Sequence, residues 1–265
     1  MKNYHSIIFL FVAICNVPFA AELPNGDEIA QRINARDEGE AVSRLLTMEM
    51  TDSRGKQRTR ETKAYRKYYG DKKHTVIFYQ TPKNIKDTAF LTYDYPEADK
   101  DDDQWLYLPA MRKVRRISAS DRGDYFLGTD FTYEDIKLES RVSIADYQRK
   151  TLGESEVDGF HCLLLESVPI NEDIADELGY SKVEQCVDDA IWMVRQAKMW
   201  DIQGNLLKTI NFKDIREVQG IWTQHVLEVN NHKTGHHTRF LFADVDYKEG
   251  VRDNLFTQNS LKRGL

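Results

Sequence analysis

From residue 41 onward the chain is a succession of short β-type runs cut by turn residues. That punctuation restricts the fold more than any other feature. Runs rich in β-branched and aromatic residues span 42–50, 57–69, 74–80, 88–95, 105–108 and 113–117. A second set spans 147–154, 160–168, 182–188, 191–201, 206–212, 221–229 and 238–245. Hairpin signals stand between them, among them Asp52-Ser53-Arg54-Gly55, Gly70-Asp71, Asp158-Gly159, Gln203-Gly204-Asn205 and Val218-Gln219-Gly220. Short strands at steady spacing with such turns predict one antiparallel sheet curled into a barrel or half-barrel. Helices are few. Asn25 can cap one that starts at Gly26 and ends near Gly39, and a second over 171–178 stops at Gly179. Residues 121–135 read as a loop with a helical turn near its end. No change of composition divides the chain, so residues 22–265 are expected to form a single domain.

Alternation within the runs shows which faces are buried. Leu206, Lys208, Ile210 and Phe212 share one face, as do Ile221, Thr223, His225, Leu227 and Val229. Thr238, Phe240 and Phe242 share another, while Leu241, Ala243 and Val245 lie opposite them. A small closed barrel would have a mostly polar outer face. Apolar residues on both faces instead call for covering elements. Either helices and a lid cover the two sides completely, or part of the concave side is a ligand cavity.

The N-terminus carries an export signal. Lys2 precedes an unbroken apolar run over 7–14, and Ala20 and Ala21 follow. This is the layout of a cleaved secretory signal peptide, assigned to residues 1–20, and the run is too short to span a bilayer. Cys15 follows bulky Ile14, where a lipidation site requires a small residue. The mature protein is therefore expected to be exported. Two cysteines remain after cleavage, Cys162 and Cys186, and an even count in an oxidising compartment predicts a disulfide.

The chain has 41% hydrophobic and 30% charged residues, with 14 glycines and 6 prolines, which excludes a disordered chain. Its net charge of −6, together with export, argues against nucleic acid as a partner. No nucleophile elbow, dinucleotide fingerprint, phosphate loop or zinc-protease helix motif is present, so no catalytic residue and no cofactor are assigned. His225, His232, His236 and His237 crowd together in sequence but read as exposed hairpin residues, and no metal site is assigned. The acidic run 99–103 lacks the turn glycine of a calcium loop, since Gln104 stands there.

The stretch Arg112-Lys113-Val114-Arg115-Arg116 places four cations in five positions of a strand. Such density requires acidic partners or an anion. Asp130, Glu134 and Asp135 downstream are the expected partners in an ion-pair network. The other reading is that Arg112, Arg115 and Arg116 contact a lipid headgroup or a membrane-protein partner.

The segment from Trp105-Leu106-Tyr107-Leu108-Pro109 through Arg115-Arg116-Ile117 to Gly123-Asp124-Tyr125-Phe126-Leu127-Gly128-Thr129-Asp130-Phe131-Thr132-Tyr133-Glu134-Asp135 resembles the outer-membrane lipoprotein-sorting protein family, relatives of the periplasmic carrier LolA. Gly204-Asn205-Leu206-Leu207-Lys208-Thr209, Lys233-Thr234-Gly235-His236-His237-Thr238 and Asp253-Asn254-Leu255-Phe256-Thr257 are similar as well. The resemblance implies an α+β fold that is mainly β: an unclosed antiparallel half-barrel of about 10–12 strands with helices over its concave, apolar side. It implies a binding protein, not an enzyme, that carries lipids or lipoproteins between inner and outer membranes. Its partners would be an acylated cargo, an outer-membrane acceptor and an inner-membrane exporter of the RND type. The alternative is a sensor or adaptor of an envelope complex that binds a protein partner and uses lipid as a signal. On the carrier reading Leu91, Tyr93, Ile210, Phe212, Leu227, Phe240 and Phe242 are the candidates for lining an acyl cavity.

Overall fold

The computed structural model describes residues 22–96, 100 and 102–265. The expected signal segment 1–20 lies outside them, as do Asp99 and Asp101 of the acidic run. The chain opens with α1 (Gly26–Asn34) and continues through a first meander: β1 (Ala41–Thr51), β2 (Gln57–Tyr69), β3 (Lys72–Thr81), β4 (Ala89–Asp94), β5 (Asp103–Leu108) and β6 (Lys113–Ile117). A connection carrying α2 (Tyr133–Leu138) leads to β7 (Tyr147–Val157) and β8 (Phe160–Pro169). After α3 (Glu172–Leu178) come β9 (Lys182–Asp188), β10 (Met193–Trp200), β11 (Leu206–Val218), β12 (Ile221–Asn231) and β13 (His237–Asp246), and α4 (Gln258–Arg263) closes the chain.

All thirteen strands form one antiparallel sheet in the order β6-β5-β4-β3-β2-β1-β13-β12-β11-β10-β9-β8-β7. Two sequential meanders are thus joined at the centre by β1 and β13, and β6 and β7 form the two edges. The sheet has one strand more than the upper end of the expected range, and it is unclosed as expected. β6 and β7 follow one another in sequence but lie at opposite edges. The chain between them, residues 118–146, must therefore cross the whole sheet, and it crosses the concave side.

Local chemistry fixes the helices. The Asn25 side chain accepts from the Glu28 amide at 2.9 Å and starts α1, whose Ile29, Ala30 and Ile33 are buried. The helix ends at Asn34 instead of near Gly39, because the Asn34 amide group bonds both backbone groups of Val142 at 2.8 and 2.9 Å. Gly39 serves the turn into β1 with φ of 73°, and a Cβ there would come within 2.6 Å of Tyr247. In α2, Thr132 and Asp135 form a reciprocal capping box. β11 runs to Val218, well past the expected end at Phe212. Its outer half is polar and pairs with β12 as far as Val218 opposite Ile221, so hydrophobic alternation could not reveal it.

The sheet is apolar on both sides and buries each differently. On the concave side, Leu46, Met48, Met50, Ile210, Leu227 and Phe240 join Phe126, Phe131 and Ile136 of the crossing segment in one core. On the convex side, Val76, Phe78, Ala89 and Leu91 pack against Val251, Leu255, Phe256 and Leu261 of the C-terminal segment. The disulfide forms between Cys162 and Cys186 on adjacent strands β8 and β9.

Candidate functional site

The concave face at the centre of the sheet is built from aligned cross-strand rows. Register places Met48 opposite Phe240, Phe240 opposite Leu227, and Leu227 opposite Phe212. The neighbouring row runs from Met50 through Thr238 and Val229 to Ile210. Together they form an apolar strip across four strands. Side chains in such rows stand about 5 Å apart, so the strip is continuous.

The crossing segment covers this strip as a plug. Phe131 packs at a tilt against Phe240 with ring centroids 4.3 Å apart. Phe126 packs edge-on to Phe90 at 5.0 Å and to Tyr133 at 5.4 Å. Polar clasps fasten the plug along its length. Lys208, with no exposed surface, reaches Asp135 at 2.6 Å and the Asp130 carbonyl at 3.0 Å. The Asp130 carboxylate accepts from Thr238 at 2.6 Å and from Asn231 at 3.0 Å. Lys73 donates to the Leu138 carbonyl at 3.1 Å, and Arg60 to the Leu127 carbonyl at 2.6 Å.

At one end of the strip the clasps merge into a buried ionic cluster. Arg44 pairs with Glu139 of the plug, and its guanidinium lies 4.5 Å from the centre of the Phe242 ring. Arg36 and Arg66 flank Glu38 at 3.3 and 3.7 Å, and Lys73 meets Asp94 at 3.1 Å. Burial raises the Glu38 carboxyl, but Arg66, Lys73 and Arg36 outweigh it and hold it at about 2. Burial likewise opposes the ionised form of Glu139, and Arg44, Arg66 and Lys73 nevertheless hold its carboxyl below the usual range. Glu139 adopts a positive φ of 58°, uncommon for a residue with a side chain.

The seven cavity candidates divide between the two faces. Ile210, Leu227, Phe240 and Phe242 are buried in the concave core, with Phe212 packed partly exposed against it. Leu91 and Tyr93 belong to the convex side, a correction to the single lining expected. Tyr93 donates to the Phe256 carbonyl at 2.5 Å and stacks on His74 at 3.8 Å. Alternation places Leu91 and Tyr93 on a common face but does not say which way that face curves.

The acidic partners also differ from expectation. Asp130 and Asp135 serve Thr238, Asn231 and Lys208, and Glu134 lies 2.9 Å from Lys137. Arg115 instead meets Asp121 at 3.6 Å and Arg116 meets Asp103 at 2.7 Å. Arg112, Lys113, Arg115 and Arg116 are all exposed along edge strand β6 or at its start. At the rim of the sheet long cationic side chains on either face can still reach solvent, although Val114 and Ile117 of the same strand pack inward. His225 is buried, not exposed, with Nδ1 3.0 Å from the Asp214 carbonyl. Among the described residues no group of three or more His, Cys, Asp or Glu is placed to hold a metal. In the sequence Arg44 and Arg66 go unassigned and Lys208 has a face but no role, yet all three carry a signal. Each is a cation on an alternating face with apolar neighbours, as Arg44 is between Val42 and Leu46.

The same chain path is found in solved structures. An outer membrane lipoprotein-sorting protein domain from Vibrio parahaemolyticus is 31% identical, with a TM-score of 0.81 over 90% of this chain and 98% of that one. The chain belongs to the outer-membrane lipoprotein-sorting protein family. A family profile described as an uncharacterized protein matches residues 71–263. A DUF1329 family protein from Desulfovibrio piger is 29% identical, with a TM-score of 0.81 over 89% of this chain and 97% of that one. A LolA superfamily protein from Nitrosomonas europaea is 18% identical with a TM-score of 0.66, over 89% of this chain and 99% of that one, a likeness of fold. No curated protein matches the chain. The family-like motif 123–135 is the plug itself, and the similar stretches 204–209 and 233–238 supply its receptors Lys208 and Thr238.

Proposed function

We propose that this protein is a non-catalytic periplasmic carrier that takes up the acyl chains of a lipid or lipoprotein against its concave strip when the plug moves aside. The observation that carries the reading is the plug: an apolar strip four strands wide is covered by a chain crossing fastened largely through polar clasps. An acyl chain leaving a membrane for water loses about 0.8 kcal/mol per methylene, so a sixteen-carbon chain needs more than ~10 kcal/mol of apolar contact. The strip can supply that contact. While it is empty, Phe126 and Phe131 keep it from water, so the unloaded protein need not expose a greasy face.

On this reading the mature domain starts near residue 22, after the signal segment. The exposed cations Arg112, Arg115 and Arg116 on the β6 edge suit docking at anionic headgroups of a donor membrane. An inner-membrane exporter of the RND type and an outer-membrane acceptor would be the stations before and after the carrier.

Native mass spectrometry of protein purified gently from periplasm tests the reading. A bound lipid or acylated peptide is the expected result. Protein that is consistently empty and captures no fluorescent acyl probe overturns it. Reversing Arg115 and Arg116 to Glu is expected to abolish co-sedimentation with anionic vesicles and to change stability by less than ~0.5 kcal/mol. Unchanged vesicle binding removes the docking role from this edge.

A further inference from the structure

The apolar strip ends in a charge cluster that the carrier reading leaves without a purpose. Arg36, Arg44, Arg66 and Lys73 face Glu38, Glu139 and Asp94, so the named groups carry one positive charge in excess. The arginines, Glu38, Glu139 and Tyr247 surround a hollow of about 10 Å³, room for about one water. Nε of Arg44 and Nε of Arg66 are buried and have no hydrogen-bond partner. Orphaned guanidinium donors at this depth are costly, and one of the anions they face arrives on the plug. Glu139 is the residue that closes α2, so it leaves whenever the plug leaves. The Arg44 guanidinium over Phe242 sets the cluster directly beside the strip.

We propose that Glu139 occupies the seat of an anionic headgroup, and that the protein takes amphiphiles whose acyl chain lies on the strip while a carboxylate or phosphate replaces Glu139 between Arg44 and Arg66. This rests on the carrier reading and narrows it. Once the plug opens, the cluster would hold four cations against two acids, and an incoming anion restores the balance when the site closes over its ligand. Arginine supplies the planar fork that carboxylate and phosphate oxygens both accept. A lipoprotein anchor, whose acylated cysteine amine is neutral, does not satisfy the seat.

The test compares a fluorescent fatty acid with its methyl ester at pH 8, and phosphatidylglycerol with diacylglycerol as competitors. The acid is expected to bind at least tenfold more tightly than the ester, about 1.4 kcal/mol. Displacement by phosphatidylglycerol assigns the seat to phosphate as well as carboxylate, and displacement by palmitate alone confines it to carboxylate. Glu139→Gln is expected to ease opening, strengthen both ligands alike and preserve their ratio. Arg44→Gln is expected to leave ester binding at least as strong and to collapse the ratio towards one, with circular dichroism confirming the fold. The wild-type ratio needs no variant, so a variant that fails to fold leaves the test decisive. Equal binding of acid and ester overturns the headgroup seat and leaves the carrier standing. Binding of neither overturns both.

Discussion

Lys208→Met tests whether the plug opens as a unit. Lys208 is fully buried and is the donor that joins β11 to the plug, through Asp135 at 2.6 Å and the Asp130 carbonyl at 3.0 Å. Removing one partner of a buried pair costs about 3–5 kcal/mol, since the remaining charge is left uncompensated. Asp135 retains its bond from the Thr132 amide at 2.8 Å and keeps slight access to solvent, which places the loss near 3 kcal/mol. At 1.4 kcal/mol per decade the opening equilibrium should rise about a hundredfold. Amide exchange reads this directly. The Asp130, Ile136 and Glu139 amides, bonded within or beneath the plug, should exchange about a hundredfold faster. Amides between β1 and β13 should hardly change, because that pairing does not depend on Lys208. Asp135→Asn in the same background should recover part of the loss, since the stranded carboxylate is gone. Equal acceleration at β1–β13, or none in the plug, would refute an independently opening segment.

Other perturbations separate the two faces and the pH response. Leu91→Ala should cost about 2–5 kcal/mol and loosen α4, yet leave acyl-probe affinity unchanged, because Leu91 packs on the convex side; a parallel loss of probe binding in folded protein would contradict that placement. Replacing Cys162 and Cys186 with Ala should lower stability by about 3 kcal/mol, given their separation of 24 residues, and a denaturant midpoint equal to wild type would show that the link adds nothing. Burial and neighbouring Lys72 hold the His74 imidazole at about 4, so the unfolded chain binds more protons between pH ~6.5 and 4 and stability should fall as pH falls through that window. Loss of Glu38's contribution follows as pH drops from ~4.5 towards 2. His74→Asn should flatten the first part of the decline, and a melting temperature that still falls equally between pH 6.5 and 5 would assign it elsewhere.

The sequence alone established the strands, their turns, the two-sided apolarity and the disulfide partners, because alternation, turn chemistry and cysteine count are local or compositional signals. It also carried the motif at 123–135 without saying where that motif goes. Only the tertiary structure decided that β1 and β13 join the two meanders, and hence that 118–146 crosses the concave side. It alone sent Leu91 and Tyr93 to the convex face, turned Asp130 and Asp135 from Arg115 and Arg116 to Lys208 and Thr238, and gathered Arg36, Arg44 and Arg66 beside Phe242. The reason is physical. Period-two patterning says which residues share a face, while the curvature of the sheet and the identity of the covering segment arise from pairings between residues about two hundred positions apart, such as Met48 and Phe240.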